Sequence, residues 1–92
     1  MSTPDSGIPV WRAAYWREEG RPVWQAPGLS WARARSALRD ELVRFTDEED
    51  CPHCLSQARD AIAALDRLPE SAPFRENVDG ADYVLEGRPA DV

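Results

Sequence analysis

From residue 30 onward the hydrophobic positions recur at helical spacing. In SWARARSALRDELVRF, residues 30–45, Trp31, Ala34, Leu38, Leu42 and Phe45 form one stripe, with Arg33, Arg39 and Arg44 away from its centre. Ser30 suits the N-cap, and Asp40 and Arg44 stand four apart, the spacing of a helical ion pair. TDEED, residues 46–50, interrupts the pattern. A second helix is predicted from Pro52, a residue favoured at a first helical position, to Pro69, which ends it. Its buried stripe is expected at Leu55, Ala58, Ile62 and Leu65, broadened by Ala61 and Leu68.

On either side of this helical stretch the pattern shortens toward alternation. IPVWRAAYWREEGRPVWQAPG predicts strands over about 9–17 and 21–26, turning near Gly20 and stopped by Pro27-Gly28. FRENVDGADYVLEG predicts a second hairpin around Asp79-Gly80, the strongest turn signal of the chain. A two-residue turn there sets Val78 against Ala81, Glu76 against Tyr83 and Phe74 against Leu85. Phe74, Val78, Ala81, Tyr83 and Leu85 then share one face, broken only by Glu76, while Arg75, Asn77, Asp82 and Glu86 take the other.

The expected fold class is therefore α+β: an N-terminal β-hairpin, two α-helices and a C-terminal β-hairpin, with a small antiparallel sheet packed on the helix pair. A chain of 92 residues suits one domain. It is expected over residues 8–86, between a flexible tail at 1–7 and a frayed tail at 87–92.

Composition adds limits. No long apolar run is present, so no membrane span is expected. The amino terminus has neither a basic start nor an apolar stretch, so a cytoplasmic location is the expectation. All eleven basic residues are arginine, which fits a GC-rich coding sequence better than a selected avoidance of surface amines. The net charge of −6 is unevenly spread: residues 11–46 hold seven Arg and four acids, residues 47–92 four Arg and twelve acids. The acidic half is repelled by bulk nucleic acid and suits a basic protein surface.

Chemistry is concentrated in DEEDCPHC, residues 47–54, which holds both cysteines and the only histidine. Cys-Pro-His-Cys resembles the active-site tetrapeptide of DsbA-like thiol oxidoreductases, and that resemblance implies thiol–disulfide chemistry at Cys51 and Cys54. A helix amino end favours a thiolate, whereas Asp47, Glu48, Glu49 and Asp50 just upstream disfavour it. A parallel-sheet context, which those enzymes supply, is not expected here. Zinc is a second reading, with Cys51, Cys54 and His53 as ligands beside nearby carboxylates, or with two Cys-x-x-Cys pairs around one ion in a homodimer. The preferred reading is plainer: a helix start, with Cys54 packed as a small apolar residue, Cys51 near the cap, both reduced, and no cofactor.

All four tryptophans, Trp11, Trp16, Trp24 and Trp31, fall within twenty-one residues, interleaved with Arg12, Arg17 and Arg21. Strand alternation puts Trp11 and Tyr15 on one face and Trp16 on the other, more aromatic surface than a small domain readily buries. WREEGRPVWQAPGLS, residues 16–30, resembles the hairpin and Pro-Gly-Leu turn of HicB-like antitoxin domains, which lead on to a helix; that family's third strand between turn and helix is missing here. The alternative expectation is a nucleic-acid-binding, antitoxin-like regulator; it is the interleaved rings and arginines, not the resemblance, that suggest rings stacking on bases and Arg on phosphates.

No catalytic constellation or phosphate-binding loop is present, so no enzymatic activity is expected. The expected function is a small protein-binding module, a bacterial or phage regulatory or inhibitory accessory protein. Its expected docking surfaces are the aromatic and arginine hairpin (Trp16, Trp24, Arg12, Arg17, Arg21) and the acidic band Asp47, Glu48, Glu49 and Asp50.

Overall fold

The structure, a computed structural model, describes residues 9–18 and 20–89. The tail expected at 1–7 and residues 90–92 of the tail expected at the carboxyl end lie outside the described residues. Six elements follow in order: β1 (Pro9–Trp16), β2 (Trp24–Leu29), α1 (Trp31–Glu48), α2 (Pro52–Asp66), β3 (Phe74–Val78) and β4 (Ala81–Pro89). The strands form one antiparallel sheet in the order β2-β1-β4-β3, so the two hairpins join through β1 and β4. The helices pack on one face, giving the expected α+β arrangement.

The C-terminal hairpin has the expected register: Val78 opposes Ala81, Glu76 opposes Tyr83 and Phe74 opposes Leu85. Both turn residues have positive φ, 52° at Asp79 and 79° at Gly80, the conformation that a two-residue turn of right-handed twist needs. The expected fraying from residue 87 does not occur through Pro89. Gly87, Arg88 and Pro89 continue β4 and pair with Trp11, Val10 and Pro9, because β1 offers a full-length partner.

The N-terminal hairpin departs further from expectation. β2 starts at Trp24, not near 21, and runs through Pro27-Gly28 to Leu29. Trp11 opposes Leu29 and Ala13 opposes Ala26, so two residues of β2 face one of β1: Pro27-Gly28 is a bulge within the strand and not its end. Gly28 supplies the positive φ of 72°, and a proline is tolerated at a bulge on an edge strand.

Helix α1 begins where expected, with the Ser30 Oγ accepting from the Arg33 N–H at 3.3 Å. It continues through the first part of TDEED to Glu48. Ala34, Leu38 and Leu42 are buried, and Trp31 and Phe45 pack against the core from its margins. Arg44 pairs with Glu41 at 3.6 Å, one turn back, and not with Asp40. Of the expected α2 stripe, Ala58, Ala61 and Leu65 are buried, with Cys54 beside them as the plainer cysteine reading expected, while Leu55 and Ile62 are only half-buried. Small residues on that face let α2 lie close against its neighbours. Leu38, Leu42, Leu65 and Leu85 have no exposed surface, and each contributes about 1.5–3 kcal/mol by leaving water.

Two further contacts tie the layers. Arg39 makes a bidentate pair with Asp66 at 2.7 and 3.2 Å, joining α1 to the end of α2. The Trp31 indole N–H donates to the Ala72 carbonyl at 2.9 Å, pinning the loop between α2 and β3. Among the described residues no helix is long and apolar enough to cross a membrane.

Candidate functional site

Strand alternation divides the hairpin aromatics between the two sheet faces. On the helix side, Trp24, Tyr15 and Tyr83 form a row across three strands. Ring centroids are 6.2 Å apart for Trp24 and Tyr15 and 4.8 Å for Tyr15 and Tyr83. Tyr83 is buried, and desolvation pushes its pKa up to about 12, so its hydroxyl stays protonated. Trp24 therefore belongs to the helix-facing layer and is not part of one docking face with Trp16. Trp11 is buried as well, its ring lying over Gly87.

Trp16 lies on the other face, which no element covers among the described residues. It is half-buried, with the Arg12 guanidinium 5.1 Å from its ring centroid. Arg12 also pairs with Glu86 across the β1–β4 ladder and leaves its Nε without a partner. Ala14 and Val84, at the centre of this face, are 1% and 5% exposed among the longer side chains of Arg12, Trp16 and Arg75. A shallow cavity of about 410 Å³ opens beside Trp16, lined also by Arg17, Glu18, Arg75 and Asp82. The Arg17 guanidinium donates to the Asp79 carbonyl at 3.2 Å, which links the turns of both hairpins at this cavity. Arg21 is exposed in the connection between β1 and β2. Of the five hairpin residues expected to act together, Arg12, Trp16 and Arg17 share the open side, Trp24 does not, and Arg21 stands apart in the turn.

The acidic band is also divided. Asp47, Glu48 and Asp50 are exposed at the corner between α1 and α2. Glu49 turns inward, and its Oε2 accepts the Asp50 and Cys51 N–H groups at 3.1 and 3.0 Å. That carboxylate satisfies backbone donors at the start of α2, where negative charge is favoured.

Cys51 is the N-cap of α2 and Cys54 lies in its first turn; both thiols are free. Cys51 is partly exposed and Cys54 is 9% exposed. The pair is asymmetric. Cys51 makes no capping hydrogen bond of ordinary geometry, yet the Cys54 N–H and then the Cys54 thiol favour its thiolate and hold its pKa below the usual thiol value; burial and Glu49 oppose them. Cys54 moves the other way, through its hydrogen bond to Cys51, then burial, then the Asp79 carboxylate.

The structure brings Cys51 and Cys54 together but leaves His53 exposed and outside the cluster. One ligand atom from each of Glu49, Cys54 and Asp79 lies within 4.8 Å of the other two. Asp79 comes from the turn between β3 and β4, which the Gln57 side chain fastens to α2 by accepting the Asp79 N–H at 3.0 Å. No local signal marked Asp79 as more than a turn former; it reaches the cysteines only through the packing of the C-terminal hairpin on α2.

Comparison with protein families, with curated proteins and with solved structures finds no match for this chain. The likeness of residues 16–30 to the HicB-like hairpin gains no support from that comparison, and its Pro-Gly-Leu segment is a bulge and strand end here.

Proposed function

We propose that the protein is a small, non-enzymatic binding module that docks on another protein through the open face of its sheet. The supporting observation is the position of Trp16. A large indole lies on a sheet face that no element covers among the described residues, beside a cavity and among arginines, the residue types that dominate binding hot spots. Arg17 and Arg75 are exposed at the same cavity, and neither takes part in an ion pair among the described residues. The complementary partner surface offers a carboxylate to these guanidinium groups and an apolar side chain to Trp16. Glu18 and Asp82 in the same cavity work against a nucleic-acid backbone, as does the net charge of −6. Regulation or inhibition of the partner, in a bacterial or phage setting, is the biological role that goes with this reading.

The test is capture of a partner from extract of the source organism by the parent chain and by two variants in parallel. Trp16→Ala and the double change Arg17→Ala, Arg75→Ala are expected to lose the partner while keeping the parent far-ultraviolet spectrum. A partner held equally well by all three proteins would move the docking surface elsewhere, with the exposed acids Asp47, Glu48 and Asp50 as the next surface to neutralise. Binding that falls steeply with salt and is competed by single-stranded nucleic acid would favour the nucleic-acid reading instead.

A further inference from the structure

We propose that Glu49, Cys51, Cys54 and Asp79 form a single-chain binding site for a thiophilic divalent cation, zinc in class, that fastens the turn between β3 and β4 to the start of α2. The donors come from three separate segments: the α1–α2 corner, the first turn of α2 and the distant β-turn. The Cys54 thiol, 9% exposed, sits with the Glu49 and Asp79 carboxylates, and all three ligand atoms lie within 4.8 Å of one another. Tetrahedral ligands 2.0–2.3 Å from zinc stand about 3.3–3.8 Å apart, so closing the cluster needs movements of at most about 1–1.5 Å. Asp79 is exposed in a turn, so its side chain has room to rotate while Gln57 and Arg17 hold its backbone.

Three further observations favour a cation over an idle cluster. Two carboxylates and the Cys54 thiol converge, and neither Glu49 nor Asp79 has a cationic side-chain partner among the described ion pairs. The Glu49 Oε2 is held by two backbone N–H groups, which fixes the carboxylate and leaves its other oxygen available, the outer-shell support that metal ligands receive. Gln57 holds the Asp79 backbone in the same way. The Cys51 thiol lies outside that three-donor cluster but is hydrogen-bonded to Cys54, and it is the fourth ligand of the proposed site, which then has two sulfurs and two oxygens. Loading replaces one proton on each thiol, so two protons leave for each ion bound. The site does not involve Trp16, and it meets the open-face cavity through the Arg17 guanidinium, which donates to the Asp79 carbonyl at 3.2 Å.

The experiment is titration of the reduced, metal-free chain with Co²⁺, followed by displacement with Zn²⁺. A 1:1 complex with thiolate-to-cobalt charge transfer and tetrahedral visible bands is expected, together with a Tm that rises on adding Zn²⁺. Asp79→Asn and Glu49→Gln keep the turn and the backbone acceptor, and each should weaken binding at least about tenfold; Cys51→Ser should remove the charge-transfer band or halve it. Circular dichroism of the metal-free variants verifies that they are folded. Absence of the cobalt spectrum would overturn the proposal. So would half an ion per chain, which means a bridged dimer, or affinity untouched by both carboxylate changes, which means binding by the thiol pair alone.

Discussion

The two hairpins of this protein are built to different rules. The C-terminal one closes through two residues, Asp79 and Gly80, whose positive φ values fix its register outright. Its inward side chains Phe74, Val78, Ala81, Tyr83 and Leu85 are all buried. The N-terminal one has a longer connection, from Trp16 to Trp24, and a bulge at Pro27-Gly28. Its pairing is held by neighbours: β4 on the far side of β1, and the aromatic row from Trp24 to Tyr83. A tight turn specifies a register locally, whereas a loose connection leaves it to tertiary contacts. The looser hairpin also carries the open-face Trp16.

The difference is testable by substitution. The largest effect is expected at Leu85, which has no exposed surface: Leu85→Ala should cost about 2–5 kcal/mol in denaturant unfolding. Trp24→Ala, at the half-exposed edge of the aromatic row, should cost less, about 1–3 kcal/mol. Equal losses would mean that the N-terminal hairpin is as firmly specified as the C-terminal one. Gly87→Ala probes the seam between the hairpins. A Cβ there would stand 2.8 Å from the Trp11 ring, and the resulting overpacking should cost about 1–3 kcal/mol, with a change in tryptophan fluorescence as the buried indole shifts.

Smaller effects sharpen the contrast in turn chemistry. Gly80→Ala and Gly28→Ala each force a positive φ on a residue with a Cβ, at about 1–2 kcal/mol. Both sites have open space around the new methyl, so the loss measures backbone strain alone. Gly80→Ala should also slow formation of its hairpin, since a local turn is available early, while Gly28→Ala should act mainly on unfolding. Comparing the two chevron plots checks this.

A change in neither hairpin serves as the reference. The Arg39 guanidinium, through its hydrogen bond, holds the Asp66 carboxyl below its ordinary pKa. That contribution is present above the unfolded carboxylate pKa and disappears as pH falls through the depressed folded value. The pair is exposed, so the effect is small. The Tm of Asp66→Asn should lie slightly below the parent at neutral pH and converge with it in acid.

Much of the architecture was legible because it depends on near neighbours. The Ser30 cap, the α1 stripe at Ala34, Leu38 and Leu42, the Pro52 helix start and the Asp79-Gly80 register each rest on signals within a few residues. The misread features depend on what lies opposite in space. Alternation alone does not reveal a bulge, so β2 was displaced. On α2, Ala58, Ala61 and Leu65 are buried as expected, but Leu55 and Ile62 are not, because small residues let the helix approach its neighbours more closely. Residues 87–89 look like a tail until β1 is placed beside them.

The candidate sites divide in the same way. Trp16 was assigned to the face opposite Trp11 and Tyr15 by the twofold period of a strand, and it lies there. Trp24 was grouped with Trp16 but lies on the helix side, because its face depends on a register that the long connection left open. The cysteine spacing was visible, and so was the acidic run before it.

What the sequence determined by itself was the set of elements, the α+β class and the locally closed C-terminal hairpin, because capping, turn chemistry and periodicity act within one turn of chain. What only the tertiary structure decided was the joining of β1 to β4 and the meeting of Asp79 with Glu49 and Cys54. Those contacts span long stretches of chain, and they form only when the buried faces of helices and strands find one another.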